Sequence, residues 1–377
     1  MIGLAVSPGT ARGAAVAVGA AGVDVALGTG IAPAIHVVTP MFVFLSAALT
    51  LAATVERTGL SERVAEALAA RADGSSFVLY AYVCAACAAM TAAVSLDGAV
   101  VLMAPILLAL SRHHGAPLTP LFLGTVVVAN ASSIAVPQGN PTNLLIIARL
   151  GISPATFLLH MAVPGAIAAV LCAACVAAAH RRRLGIRYAP AREQQSIPAA
   201  LSAAELHAGA ALVSAAVAGW VAPLLGIDPW WPFSAVVVLA LIAGRRRPAA
   251  IVPWQIGCQI AATLVVVEAL GTPGVERLGS ALPGLLIVAV TAGTASALLN
   301  NLPVGASAVA LITTAPIGYA ASVGLAVGSL ATPQGSVATL LATTLVGSDA
   351  PSLRVRQFAP LAAMAVVVCT LALWLTL

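Results

Sequence analysis

The chain has no lysine: all 17 of its basic residues are arginine, and only 8% of its 377 residues carry charge. A soluble domain of this size carries roughly three times that charged fraction. Such a chain cannot cover itself with polar surface in water, so lipid must be its solvent. No polar stretch is long enough to build a separate soluble catalytic domain. Aromatic residues are scarce too, at 4%. The arginines are scattered among loops without an aromatic platform or a basic face, so the net charge of +5 does not signal nucleic-acid binding. No His-Glu-x-x-His spacing is present, and no metal or cofactor is expected. The first residues lack a basic n-region, because Arg12 follows an apolar stretch, so no secretory signal is expected.

What the chain has in abundance is apolar sequence, 61% of residues with a mean hydropathy of +1.05. A spanning helix needs about 20 apolar residues. Nine crossings are predicted near 13–33, 35–54, 118–149, 156–179, 207–226, 231–244, 252–272, 320–347 and 357–377. Two hairpins are predicted near 76–111 and 281–314. The return limb of the first, from Ala99 to Leu110, reads as 12 residues or about 18 Å of helix, which is too short to span. Re-entry is therefore expected. Between Glu56 and Asp73, Arg57, Arg63 and Arg71 alternate with Glu62 and Glu66 among apolar residues at helical spacing, which predicts an amphipathic surface helix.

With the amino terminus in the cytoplasm, fifteen arginines fall inside and only Arg149 and Arg277 fall outside. That is a strong positive-inside bias, and it predicts a multi-pass protein of a bacterial plasma (inner) membrane with a cytoplasmic amino terminus. His113 and His114, beside Arg112, are expected to be solvated. Trp220, Trp230, Trp231 and Trp254 are expected at the membrane interfaces. The pairs Cys84/Cys87 and Cys172/Cys175 lie within apolar helices and read as small hydrophobes rather than ligands.

An internal repeat organises the chain. Ser133-Ile-Ala-Val-Pro-Gln-Gly-Asn-Pro-Thr-Asn-Leu-Leu145 and Ser329-Leu-Ala-Thr-Pro-Gln-Gly-Ser-Val-Ala-Thr-Leu-Leu341 share seven of thirteen positions. Each copy interrupts an apolar segment and each follows a hairpin. The hairpin tips are polar: Ser95-Leu96-Asp97-Gly98 and Asn300-Asn301-Leu302-Pro303. The predicted topology inverts between the copies. Residues 1–34 form an amino-terminal transmembrane segment, 35–180 the first repeat, 181–251 a cytoplasmic loop with linking helices, and 252–377 the second repeat. The fold class is thus an all-α polytopic membrane protein with two inverted-topology repeats. Each repeat has a re-entrant hairpin and a discontinuous transmembrane helix.

Pro137 and Pro333 lack an amide hydrogen and clash with a preceding carbonyl, so each helix stops there. Gly139 and Gly335 admit the unusual dihedrals of the break. Asn140 and Ser336 are suited to cap the downstream half-helices, with Pro141 at a favoured first position. Paired interrupted segments of this kind point to a secondary-transporter binding site. Asp97 is the only acid in either motif, and a carboxylate at membrane depth is by default functional. It is a candidate to carry a coupling proton or Na⁺, or to cap the limb that starts at Gly98. Ser95, Asn130, Ser132, Ser133, Asn143, Asn300, Asn301 and Thr332 are candidate ligands, with Thr339 the counterpart of Asn143. Asn300 and Asn301 could equally satisfy a tight turn, and Gln138 and Gln334 could bind or merely hold their loops. An intramembrane protease would need two catalytic acids, and only Asp97 lies in a motif, so no enzyme is expected.

Ser95-Leu-Asp-Gly-Ala-Val-Val-Leu-Met-Ala-Pro105, the Asn300-Asn301-Leu-Pro303 tip and Thr332-Pro-Gln-Gly-Ser336 together resemble the ion transporter superfamily. They are most similar to its arsenite permease (ArsB) and NhaD-like branch. The resemblance implies a carrier whose site lies at the two tips and two breaks. It further implies proton-coupled efflux of arsenite and antimonite, a small inorganic oxyacid cargo, and a soluble ATPase partner in some cases. Homodimers are common among such carriers, though no motif here shows one. The alternatives are Na⁺/H⁺ antiport or transport of a small anion of the dicarboxylate or citrate kind. Carboxylate carriers of the superfamily have Ser-Asn-Thr at both tips, whereas this chain has Ser95-Leu96-Asp97 and Asn300-Asn301-Leu302. That departure, and the lack of Arg within either motif, favours the uncharged arsenous acid.

Overall fold

The computed structural model describes residues 32–188, 200–225, 227, 230–243 and 279–377. The predicted crossing at 252–272 and nearly all of that at 13–33 lie outside these residues, as do Trp254 and Arg277. The described chain is helical, with one isolated bridge between Ser75 and Arg187. In order, the helices are α1 (Ala32–Glu56), α2 (Leu60–Ala72), α3 (Ser76–Ala93), α4 (Leu96–His114), α5 (Leu118–Ser132), α6 (Pro141–Leu150), α7 (Pro154–Ala179) and α8 (Arg181–Leu184). They continue as α9 (Ala203–Leu224), α10 (Trp230–Ala243), α11 (Leu282–Leu299), α12 (Asn301–Leu311), α13 (Ala315–Val327), α14 (Val337–Val346) and α15 (Val355–Thr376).

Six of the described helices are long and apolar enough to cross a membrane: α3, α4, α7, most of α9, α11 and α15. A seventh span results if α1 and α2, which meet at a 73° bend, count as one. Large apolar side chains such as Leu159, Val170 and Leu375 stand more than two-thirds exposed on these helices, as a lipid-facing surface requires. The protein is therefore a multi-pass membrane protein.

The helix starts follow from local chemistry. Ser153 accepts from the Thr156 amide at 3.0 Å and Pro154 opens α7; Asn140 accepts from Thr142 at 3.1 Å and Pro141 opens α6. Helix α2 buries Ser61, Ala65, Ala69 and Ala72 against α3 and α4 and exposes Glu62, Glu66 and Arg71, the amphipathic pattern expected of this segment.

Three expectations need correction. The return limb of the first hairpin is not 12 residues: α4 has 19, about 28 Å, because the helix starts at Leu96 and continues to His114. Its length no longer argues for re-entry. By contrast, the return limb of the second hairpin, α12, has only 11 residues. The second broken helix begins at Ala315, five residues before the expected start at 320. His114 is buried at the end of α4 rather than solvated, while His113 is exposed.

Packing between the halves is reciprocal. Helix α4 of the first hairpin packs on α14, and α12 of the second packs on α6. The outer ends of these pairs lie on different faces. Arg112 at the end of α4 pairs with Asp349 beyond α14 at 2.9 Å, whereas Arg149 near the end of α6 donates to the Val309 carbonyl of α12 at 3.2 Å. Helix α7 sets the separation of the faces. It leaves the Arg149 end and runs about 39 Å to Arg183, which donates to Thr119 near the start of α5 at 2.8 Å. Helix α15 runs antiparallel to α7, since Thr376 at its end meets the His160 carbonyl near the start of α7.

Helices α11 and α13 approach unusually closely. A side chain at Gly324 would collide with the Ala289 carbonyl, and one at Gly328 with the Gly293 backbone. Glycine at these positions is what allows the second hairpin to lie flush on the second broken helix.

Candidate functional site

Both helices are interrupted around the Pro-Gln-Gly strings, but they end upstream of the prolines, α5 at Ser132 and α13 at Val327, five and six residues before Pro137 and Pro333. After α5 the chain turns through Ser133–Val136, makes a single 3₁₀ turn at Pro137–Gly139 and restarts as α6. After α13 a 3₁₀ turn at Gly328–Ala331 leads through Thr332–Ser336 into α14. Unwound backbone at this depth is tolerated only where protein or a cavity satisfies it, and here side chains do much of that. Asn143 donates to the carbonyls of Ser133 and Val136 at 2.8 and 3.0 Å. Ser133 donates to Asn130 O at 2.7 Å, and its counterpart Ser329 to Ala326 O at the same distance.

The hairpin tips are tied to the breaks of their own halves. Gln138 donates to the Ala92 carbonyl at 3.0 Å, three residues before Ser95. Thr332 donates to the Ala297 carbonyl, three residues before Asn300. Asn300, with φ of 101°, donates to Gln334 O at 2.9 Å and caps Leu302. The Asn301 amide donates to Gly335 O at 2.8 Å. Gln138, Asn300 and Thr332 therefore hold the loops together. Gln334 is exposed and contributes its backbone carbonyl. Gly139 and Gly335 are packed against backbone, so neither position has room for a side chain. Trp220 donates to Ala92 O as well and lines a cavity with Pro137 and Gln138, so it clamps the first hairpin beside the break. Pro137 is buried and Pro333 partly so.

The two halves meet at this level. Val94, Leu145, Leu302 and Val337, one from each tip or break segment, belong to one contiguous buried cluster. Gly305 of α12 packs directly on the Thr142 side chain.

Asp97 is the residue left over. It is 1% exposed, and neither carboxylate oxygen has a hydrogen-bond partner. It is not the cap of its limb, since Ser95 accepts from Gly98 N at 3.2 Å. Nor does any described arginine pair with it. Buried without partners are also Asn130 Oδ1, Asn143 Oδ1, Asn301 Oδ1, Thr142 Oγ1, Ser132 Oγ, Ser336 Oγ and Thr339 Oγ1. Several of these came from the sequence motifs. Their free atoms did not, because which lone pairs the loops consume depends on the fold.

Sequence reasoning missed Arg354. It precedes α15 and lines a small cavity with Thr332, Pro333 and Thr339. Among the described residues no three His, Cys, Asp or Glu side chains converge as a metal-ligand set.

The fold and site define a polytopic helical membrane protein with two broken helices meeting two polar hairpin tips. Residues 4–324 match the citrate transporter family, and the chain belongs to it. No curated protein matches the chain. The membership supports a transporter and favours the citrate-like alternative over arsenite, despite the departures at the tips.

Proposed function

We propose that this protein is a secondary carrier of a small polycarboxylate of the citrate class, coupled at Asp97 to a proton or small cation. The cargo class rests on the family match, which takes in both hairpin tips and the first break. Coupling rests on Asp97. An ionised carboxylate enclosed with no donor and no counter-charge is costly, so a proton or cation must accompany it whenever the site is shut.

Alternating access rests on the reciprocal packing. Helices α4 and α14 end on one face, α6 and α12 on the other, and α7 and α15 run in opposite directions. Two inverted halves related by an axis in the membrane plane would give this arrangement. The arginine bias puts the face of Arg112 and Arg183 in the cytoplasm of a bacterial plasma membrane.

The test is uptake of labelled citrate into proteoliposomes under an imposed pH gradient, with and without Na⁺, with arsenite and a monocarboxylate as competing cargos. Gradient-driven citrate accumulation is expected. Arsenite or Na⁺ flux without carboxylate flux would overturn the reading.

A further inference from the structure

Both breaks hold free hydroxyls, Ser132 and Thr142 at the first and Ser336 and Thr339 at the second, but they differ in charge: the first has the Asp97 carboxylate, the second has Arg354 nearby. At the first, the unpartnered atoms include fixed acceptors: both oxygens of Asp97, Asn130 Oδ1 and Asn143 Oδ1. The amide orientations are set, because each Nδ2 already donates to a backbone carbonyl. The N-terminus of α6 is closed by the Asn140 side chain. An anion finds repulsion there.

At the second break no carboxylate is present. Ser336 stands at the N-cap of the ten-residue α14 without making a side-chain cap bond, and its hydroxyl is buried and free. Thr339, in the first turn, is 3% exposed and its Oγ1 has no partner. Both are hydroxyls that can donate. The Asn301 amide, held by no side-chain bond, can turn its NH₂ either way. Thr339 and the exposed Arg354 line one cavity, together with Thr332, Pro333 and Val126 of α5. Arg354 makes no ion pair with a described residue. The cavity has about 10 Å³ of free space, room for one water. It is too small for a carboxylate in this conformation, so binding requires its walls to move apart.

We propose that the halves divide the work: the second break, with Arg354 as its cation, recognises a carboxylate group of the cargo, while the first handles the coupling ion. The inference rests on the polycarboxylate reading and adds a specificity residue to it. A guanidinium and the free Thr339 hydroxyl lining one cavity at the first turn of α14 suit a planar carboxylate. Arg356, two residues on and also exposed, does not line the cavity and serves as the control.

The experiment compares citrate KM and maximal rate in proteoliposomes for wild type, Arg354→Gln, Arg354→Lys, Arg356→Gln and Thr339→Val. Each protein is also checked for thermal midpoint in detergent. Loss of a charge-assisted hydrogen bond predicts a roughly ten- to hundredfold rise in citrate KM for Arg354→Gln. Arg354→Lys should recover part of it, Thr339→Val should raise KM several-fold, and Arg356→Gln should stay within twofold. Citrate transport with unchanged KM in Arg354→Gln, or an equal rise in Arg356→Gln, overturns the division of labour and leaves the cargo reading intact. A wild type that moves no carboxylate overturns both.

Discussion

Replacing Asp97 with Asn removes one charge and preserves the shape of the side chain. Asp97 is enclosed, and its oxygens receive no hydrogen bond. In the shut form the carboxylate carries a proton or a cation, so the comparison is between a compensated acid and a neutral amide of the same shape, whose unmet hydrogen bonds cost about 1–3 kcal/mol. The variant should therefore be about as stable as wild type. Its transport should change in kind. A pH difference of one unit supplies about 1.4 kcal/mol per proton, a tenfold accumulation. A potential of 100 mV adds about 2.3 kcal/mol per net charge moved. Wild-type proteoliposomes with one coupled proton should thus concentrate cargo about tenfold per pH unit. Asp97→Asn should reach only equilibrium yet still exchange external label for internal unlabelled cargo. The assay is paired uptake and counterflow on one preparation. Undiminished gradient-driven accumulation in the variant refutes the coupling role. A fall of several degrees in its thermal midpoint would show instead that the carboxylate is structural.

Other consequences are thermodynamic. Asn140→Ala should lose about 0.5–2 kcal/mol with its cap bond, whereas Ser336→Ala, whose hydroxyl caps nothing, should lose a few tenths at most; equal losses by denaturant unfolding would contradict the asymmetry of the breaks. Gly324→Ala should cost about 1–3 kcal/mol, because its methyl meets the Ala289 carbonyl. Gly209→Ala, in open space on α9, should be neutral or stabilising by up to about 1 kcal/mol. A double-mutant cycle on Arg112 and Asp349, both well exposed, should return a coupling below about 1 kcal/mol in unfolding free energy.

The helices and both breaks are legible because their signals are local. Proline alone is not the signal, since Pro105, Pro164 and Pro360 lie inside α4, α7 and α15; the Pro-Gln-Gly string is, and at the first break Asn140 before Pro141 restarts the helix. Limb length is less readable. Asp97-Gly98 looks like part of a turn, but Ser95 takes the positive φ and the capping role alone, so the helix begins at Leu96, three residues before Ala99. The division between loop-holding and unpartnered polar groups is invisible in the sequence. Asn143 gives its NH₂ to two carbonyls and keeps its oxygen free, which only the path of residues 133–136 decides. Arg354 and the burial of His114 depend on which helix ends meet, and neither motif contains that information. The cargo expectation leaned on tip tripeptides, a few residues set against a family match that spans most of the chain.

The crossed pairing of α6 with α12 and of α4 with α14 also bears on biogenesis. Helix α6 is synthesised about 150 residues before α12 exists. At about 5–20 residues per second, its buried polar side chains wait roughly 8–30 s for their partner. During that interval the nascent first half holds Asp97 and Thr142 without the walls that later enclose them. Insertion machinery or neighbouring lipid headgroups must shelter these groups until the ribosome delivers the second half. A truncated chain ending before Leu282 should consequently be cleared by membrane proteases rather than accumulate as a stable half-carrier.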